Sequence, residues 1–269
     1  SNKADWQIWK IEDAAGTVAF VGHATTASTA VTDGFTAEGF ISKAYDSADR
    51  RYSYTYTTVA GTKVLTQVKA ETKTSGTWAS PSGVAEVGKV DYDYYVDADT
   101  YGGDRDLETI TITTPLTDSG ISSTRVKYFR YWEGTFHATT NPGYPHLIQY
   151  IVDYEGTRAF DWADTTFDAD YVGASESTLK PYAAAYFEYN VDRQINEAWF
   201  NGECGCSGAG NGVHTFAYDT TGSPPAGAGY DAVWERRTVV TRPDATYVIQ
   251  YFDETGGPLS RVIMNESPS

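Results

Sequence analysis

At 269 residues the chain is long enough for a substantial core, in one large β domain or two smaller ones. Its formal net charge of −16 repels nucleic acid and anionic membranes, which argues against a polyanionic partner. No apolar run is long enough to form a membrane-spanning helix, and Cys204 and Cys206 alone make no disulfide framework. The 21 Tyr and 7 Trp, with abundant Thr and Val, favour strands over helices. The start at Ser1-Asn2-Lys3 suggests a processed or excised segment, and a low Cys and Met content fits a secreted or cell-surface location.

In chain order, residues 5–11 read as a first strand, turned at Asp13 to Gly16 into a partner at 17–22. Residues 40–45 alternate, bend at Asp46 to Asp49, and continue into a strand carrying Tyr52, Tyr54 and Tyr56 on one face. Such a stripe packs on a neighbouring hairpin or serves as a sugar-stacking platform. Ala60-Gly61-Thr62 predicts a hairpin turn and 63–72 the return strand. The Gly- and Pro-containing stretch 74–88 reads as a loop. Strands are expected at 90–96, 109–114 and 123–132, followed by a stiff loop around Pro142, Gly143 and Pro145. Residues 146–154 and 157–162 read as a hairpin about Glu155-Gly156, and the acidic 163–181 as a helical turn or linker.

The stretch from Tyr182 to Gly222 organises the rest. A strand over 182–189 bends at Asn190-Val191-Asp192 and returns over 194–200, with Ile195 and Ala198 or Trp199 inward. A glycine-rich loop at 201–212 precedes a strand at 213–218 and a bend at Asp219 to Gly222. After the flexible 222–229 come a hairpin about Pro243-Asp244, with arms 234–241 and 246–252, and a last strand at 259–264. No segment keeps helical periodicity over three turns, so the expected class is all-β, built of stacked antiparallel hairpins, with a β-sandwich as the alternative. Composition divides the chain into hairpin region 1–73, central β region 74–162 with an acidic loop at 97–108, and hairpin region 163–269; one continuous domain is equally compatible.

Several bends share one pattern, an aromatic residue and Asp opening a turn that closes on Gly or Asp-Arg. It occurs at Tyr45-Asp46-Ser47-Ala48-Asp49-Arg50, Tyr218-Asp219-Thr220-Thr221-Gly222 and Phe252-Asp253-Glu254-Thr255-Gly256, and more loosely at Val152 to Arg158. Tyr189-Asn190-Val191-Asp192-Arg193 is one residue short of it. The pattern resembles the YD repeat of bacterial RHS and wall-associated proteins, although the copies here are irregularly spaced. The resemblance implies a spiralling β-shell or wall that encloses or presents something else, with activity residing in another domain.

Among candidate sites, Asp97 to Glu108 places carboxylates at positions one, three and twelve of a calcium-type loop, with Gly102 at six. Asp97, Asp99, Asp104, Asp106 and Glu108 are therefore candidate calcium ligands; a solvated acidic hairpin tip is the competing reading. Cys204 and Cys206 form a local disulfide, two free thiols or half of a soft-metal site. Of His23, His137, His146 and His214, the pair His137 and His146 flanks a Pro/Gly loop with Asn141 and reads either as a metal site or, more commonly, as solvated surface; no nucleophile elbow or phosphate-cradling loop appears. Glu188 and Glu197 lie on opposite arms of the Asn190 bend, where two carboxylates face each other as in a glycosidase; Asp161, Asp164 and Asp192 are further acidic candidates. No convincing catalytic constellation emerges. The expected function is a structural or interaction module, partnered by its own copies or by a surface protein or glycan, with no membrane insertion. The alternatives are a calcium-dependent carbohydrate-binding or carbohydrate-hydrolysing β protein and an adhesin domain.

Overall fold

The computed structural model describes residues 10–12, 18–21, 36, 40–46, 48–78, 80–96, 101–115, 122–163, 172–201, 211–220 and 234–265. The protein is all-β in class: long antiparallel strands dominate, and helices are few and short. Contacts group it into two compact units, Ser1–Asp99 with Asp104–Lys127, and Thr100–Gly103 with Tyr128–Ser269. The composition boundary at residue 74 falls inside the first unit and that at 163 inside the second.

In the first unit the strands are β1 (Lys10–Glu12), β2 (Val18–Val21), β3 (Lys43–Asp46), β4 (Arg51–Val59), β5 (Thr62–Thr72), β6 (Ser75–Thr77), β7 (Ser80–Ser82), β8 (Ala85–Tyr94) and β9 (Leu107–Pro115). β10 (Ser122–Tyr131) follows, its residues divided between the units after Lys127. Neighbours in sequence are neighbours in the sheet, except that β6 and β7 form their own small hairpin between β5 and β8. The Ala60-Gly61 turn has positive φ at both central residues (45° and 75°), the twist that suits a two-residue hairpin.

The stretch 74–88, expected as a loop, is thus a hairpin and the start of β8. Left-handed Gly76 and Gly83 (φ 81° and 60°) permit the sharp returns. The hairpin places Trp78 against Tyr45, ring centroids 5.9 Å apart, where both are buried. Tyr52, Tyr54 and Tyr56 are each half-buried; a bulge at Thr55/Tyr56 shifts the register, and Tyr56 packs on Phe40 at 5.2 Å.

In the second unit the sheet continues through β11 (Ile148–Val152), β12 (Ala185–Tyr189), β13 (Ile195–Asn201), β14 (Asn211–Thr220), β15 (Arg236–Thr241), β16 (Tyr247–Phe252) and β17 (Pro258–Met264), each paired with the next. Between β11 and β12 the chain forms α1 (Tyr154–Ala163), α2 (Glu176–Leu179) and a 3-10 turn at Lys180–Tyr182. The expected hairpin about Glu155-Gly156 is therefore a helix. Asp153 starts it: its Oδ1 accepts from Gly156 N at 2.9 Å and its carbonyl from Thr157 N, which caps the first turn. The helical turn expected within 163–181 is α2, capped by the Ser175 hydroxyl. Among the described residues no helix is long and apolar enough to cross a membrane.

The core of the second unit lies where β10 to β13 cross its middle. Tyr128, Arg130, Tyr150, Val152, Tyr186 and Trp199 are buried on one face there and Ala198 on the other, and Leu179 of α2 is buried as well. Arg130 is 0% exposed; its Nε donates to Tyr128 Oη and its Nη2 to the carbonyls of Val172 and Ala174, while the guanidinium lies 3.6 Å from the Tyr101 ring centroid. Planar stacking and several carbonyl acceptors are the conditions under which a buried guanidinium is tolerated. They also fasten the segment leading into α2 to the sheet.

Candidate functional site

Two features stand out in the geometry, a turn that recurs and an aromatic–carboxylate cluster. The turn spans five residues. The first residue's N–H donates to the carbonyl of the fifth, the fourth residue's N–H returns to the carbonyl of the first, and the fourth residue is left-handed. Among the described residues it occurs at Asp46–Arg50, Asn190–Gln194, Arg242–Thr246 and Asp253–Gly257. The left-handed residues are Asp49, Arg193, Ala245 and Gly256, with φ of 57°, 62°, 63° and 84°. This is the three-residue hairpin loop that ends in a bulge.

A side-chain oxygen fixes each copy. Asp46 Oδ1 accepts from Ala48 N and Arg50 N at 2.9 and 3.0 Å. Asn190 Oδ1 accepts from Asp192 N and Gln194 N, both at 3.0 Å. Asp253 Oδ1 accepts from Thr255 N and Gly257 N at 2.8 and 2.7 Å. In the remaining copy Asp244 does this work from the middle of the turn, binding Thr246 N and Oγ1. The hydrogen bonds hold the carboxyls of Asp244 and Asp253 below their usual range, the Thr246 and Thr255 hydroxyls contributing most. The first copy is also buttressed from outside, by Trp78 Nε1 donating to Asp49 Oδ1 at 2.9 Å and by an ion pair between Lys73 and Asp49.

The cluster lies on one face of β11, β12 and β13. Register puts Tyr150 opposite Tyr186, Tyr186 opposite Trp199, and Glu188 opposite Glu197. Ring centroids are 4.8 Å apart for Tyr150–Tyr186 and 5.2 Å for Tyr186–Trp199. The Tyr150 hydroxyl donates to Glu176 Oε1 and that of Tyr186 to Glu188 Oε1, each at 2.8 Å. Burial, then these hydrogen bonds to carboxylates, push both phenols far above their ordinary value. Burial alone pushes Tyr189 up to about 12. Lys180 lies 5.3 and 5.4 Å from the Tyr186 and Trp199 ring centroids. Glu197 is raised by burial first and by the Glu188 charge second, with Lys180 opposing.

The facing of Glu188 and Glu197 expected from the bend is therefore present, and Ala198 and Trp199 are both buried, one on each face of β13. The other acidic candidates are dispersed: Asp161 is in α1 and Asp192 in the Asn190 turn, while Asp164 lies outside the described residues. Of the calcium candidates, Asp97 and Asp99 lie outside the described residues, as do Cys204 and Cys206. Asp104 and Asp106 occupy the turn before β9, and Glu108 lies in β9. Among the described residues, no three or more His, Cys, Asp or Glu side chains converge as a metal site would require. His137 closes a small turn with Asn141 and His214 packs edge-on to Phe200; His23 is outside the described residues.

Two of the patterned bends depart from the recurring turn. Asp219 is still in β14, where it pairs with Arg237 at 2.6 Å. Asp153 caps α1. The Arg242 copy, by contrast, lacks the aromatic-Asp opening and was visible only as a Pro-Asp bend.

No protein-family profile matches the chain, and no curated protein matches it. Among solved structures it is similar to a porin-like protein from Bacteroides uniformis, with 12% identity over 95% of this chain and 71% of that one, and a TM-score of 0.26. A TM-score that low assigns neither fold nor function.

Proposed function

We propose that the chain is a structural and interaction module of a secreted or cell-surface protein, a hairpin scaffold that associates with further copies of itself. The observation that carries this reading is the recurrence of one side-chain-locked turn at four hairpins, in a sheet whose order follows the sequence. A unit that repeats in this way buries on each hairpin what its neighbour exposes, and its terminal strand is left to recruit another. β17 is such a strand: it pairs only with β16 among the described residues and exposes Leu259, Val262 and Ile263. Arg261 is the one charged residue in β17, so this edge approaches a second copy without the repulsion of an otherwise acidic chain. Light scattering across a concentration series, with and without calcium, tests the reading. Concentration-dependent multimers are expected; a monomer throughout overturns it.

A further inference from the structure

The register of β15, β16 and β17 determines which backbone groups of β17 are used and which are open. On β16 the bonds to β15 alternate from the Arg242–Thr246 turn, so Val248 and Gln250 serve β15, while Tyr247, Ile249 and Tyr251 serve β17. Opposite these last three stand Met264, Val262 and Ser260, which therefore bond inward. Arg261 and Ile263 turn their N–H and C=O groups to the open edge. The side chains of Val262 and Ile263 point to opposite faces and are 40% and 59% exposed, so apolar surface is open on both faces of this edge.

The regular part of β17 is short. Ser260 stands opposite Tyr251 and Pro258 opposite Phe252, which leaves Leu259 as a bulge and confines the even register to residues 260–264. Val262 is the middle of that run. The edge at the other end of the sheet order is blunter: β1, Lys10–Glu12, has 3 residues and a charged residue at each end.

We infer that β17 pairs with β17 of a second copy, antiparallel about a two-fold axis, with Val262 directly opposite the partner's Val262. This pairing rests on self-association through the β17 edge and fixes its symmetry and register. Identical edges meet about a two-fold axis only when antiparallel, because a parallel ladder offsets the bonding residues of one strand by one position. Centred on Val262, the run is self-complementary. Arg261 exchanges backbone hydrogen bonds with the partner's Ile263, and its aliphatic stem lies along that side chain. Ser260 meets the partner's Met264, and no like charges are opposed. Centring on Arg261 would set two guanidinium groups opposite each other and run into the Leu259 bulge. Centring on Ile263 would overlap only residues 262–264 of the strand. A head-to-tail contact would have to use the short, charged β1 edge instead.

Disulfide trapping in the whole chain, with Cys204→Ser and Cys206→Ser as background, tests the register. Val262→Cys would place its thiol and the partner's in a non-hydrogen-bonded pair, where the Cα separation of about 4.5 Å lies inside the disulfide range of roughly 4.4–6.8 Å. Under a mild oxidant this variant is expected to form a covalent dimer at concentrations where light scattering reports association. Ser260→Cys alone should form none, because it faces the partner's Met264. Mixing Ser260→Cys with Met264→Cys should restore the cross-link. Ser260 and Val262 are exposed and Met264 is half-buried, so the substitutions spare the core. Association without the Val262→Cys cross-link, or a Ser260→Cys cross-link as ready as that of Val262→Cys, overturns the register and leaves self-association standing. A monomer at every concentration overturns both.

Discussion

Glu188 and Glu197 occupy directly opposed positions on β12 and β13, two carboxylates facing across one hairpin. Like charges so placed oppose strand pairing, and Glu197 holds its proton more tightly than an ordinary glutamate, through burial first and the Glu188 charge second. A group whose folded pKa is raised favours the fold when protonated. That contribution is fully present below the ordinary glutamate value of 4.5 and is lost as pH rises through the folded one. Glu197→Gln should therefore stabilise the protein at neutral pH by a few tenths of a kcal/mol, the lower part of the cross-strand range because the side chain is only partly buried. Its advantage over wild type should vanish as pH falls toward that value. Thermal unfolding of both proteins across this pH range measures it.

The recurring turn makes a prediction with opposite signs at two of its copies. Ala245 and Gly256 occupy the same left-handed position, and only glycine adopts it without steric cost. Ala245→Gly should stabilise by about 1 kcal/mol and Gly256→Ala destabilise by a similar amount. Denaturant unfolding of the two variants checks this; equal signs would contradict the equivalence of the turns.

The side-chain oxygen that fixes each turn should matter as well. Asp253→Ala removes the acceptor for Thr255 N, Gly257 N and the Thr255 hydroxyl, and should lower the unfolding temperature. Because the folded pKa is depressed, the stabilisation exists above the unfolded value and fades as pH falls through the folded one. The difference between wild type and Asp253→Ala should accordingly narrow in strong acid. Asp253→Asn, which keeps an acceptor oxygen, should retain most of the stability and less of the pH dependence.

Gly156→Ala separates propensity from packing. In a free helix the change would stabilise by about 1 kcal/mol. Here the added methyl meets the Tyr182 backbone, so a loss of about 1–3 kcal/mol is expected as α1 is forced away. Hydrogen exchange should localise the loosening to α1 and the 3-10 turn.

Trp199→Ala removes the end of the Tyr150–Tyr186–Trp199 stack and should cost about 3–5 kcal/mol, enough to endanger a domain of ordinary stability. Tyr150→Phe retains the ring and loses only the hydrogen bond to Glu176, so its cost should be much smaller.

What the sequence made legible was local. The Asp46, Asn190 and Asp253 bends are written in a side chain and the backbone two to four residues on, so position alone reveals them. Counting outward from the Asn190 bend also predicts that Glu188 meets Glu197. α1 was not legible, because Asp opening a hairpin and Asp capping a helix use the same short-range hydrogen bonds. The choice at Asp153 falls to Phe160 and Gly156 packing on Tyr182, a contact from a later part of the chain. Trp78 and Arg130 were hidden for a similar reason. A tryptophan among serines and glycines reads as loop, and an arginine in a strand reads as solvent-facing, until Tyr45 and Tyr101 are brought beside them.

The central claim is association through a repeating hairpin scaffold, and the most direct measurement is light scattering with negative-stain microscopy on wild type and Ile263→Pro. Ile263 faces Val248, whose backbone groups serve β15, so the Ile263 N–H points to the open edge and proline there blocks strand addition while sparing the ladder to β16. Concentration-dependent, ordered multimers of wild type, lost in Ile263→Pro while the monomer stays folded, are predicted. A compact wild-type monomer at every concentration, or multimers indifferent to Ile263→Pro, would contradict the account.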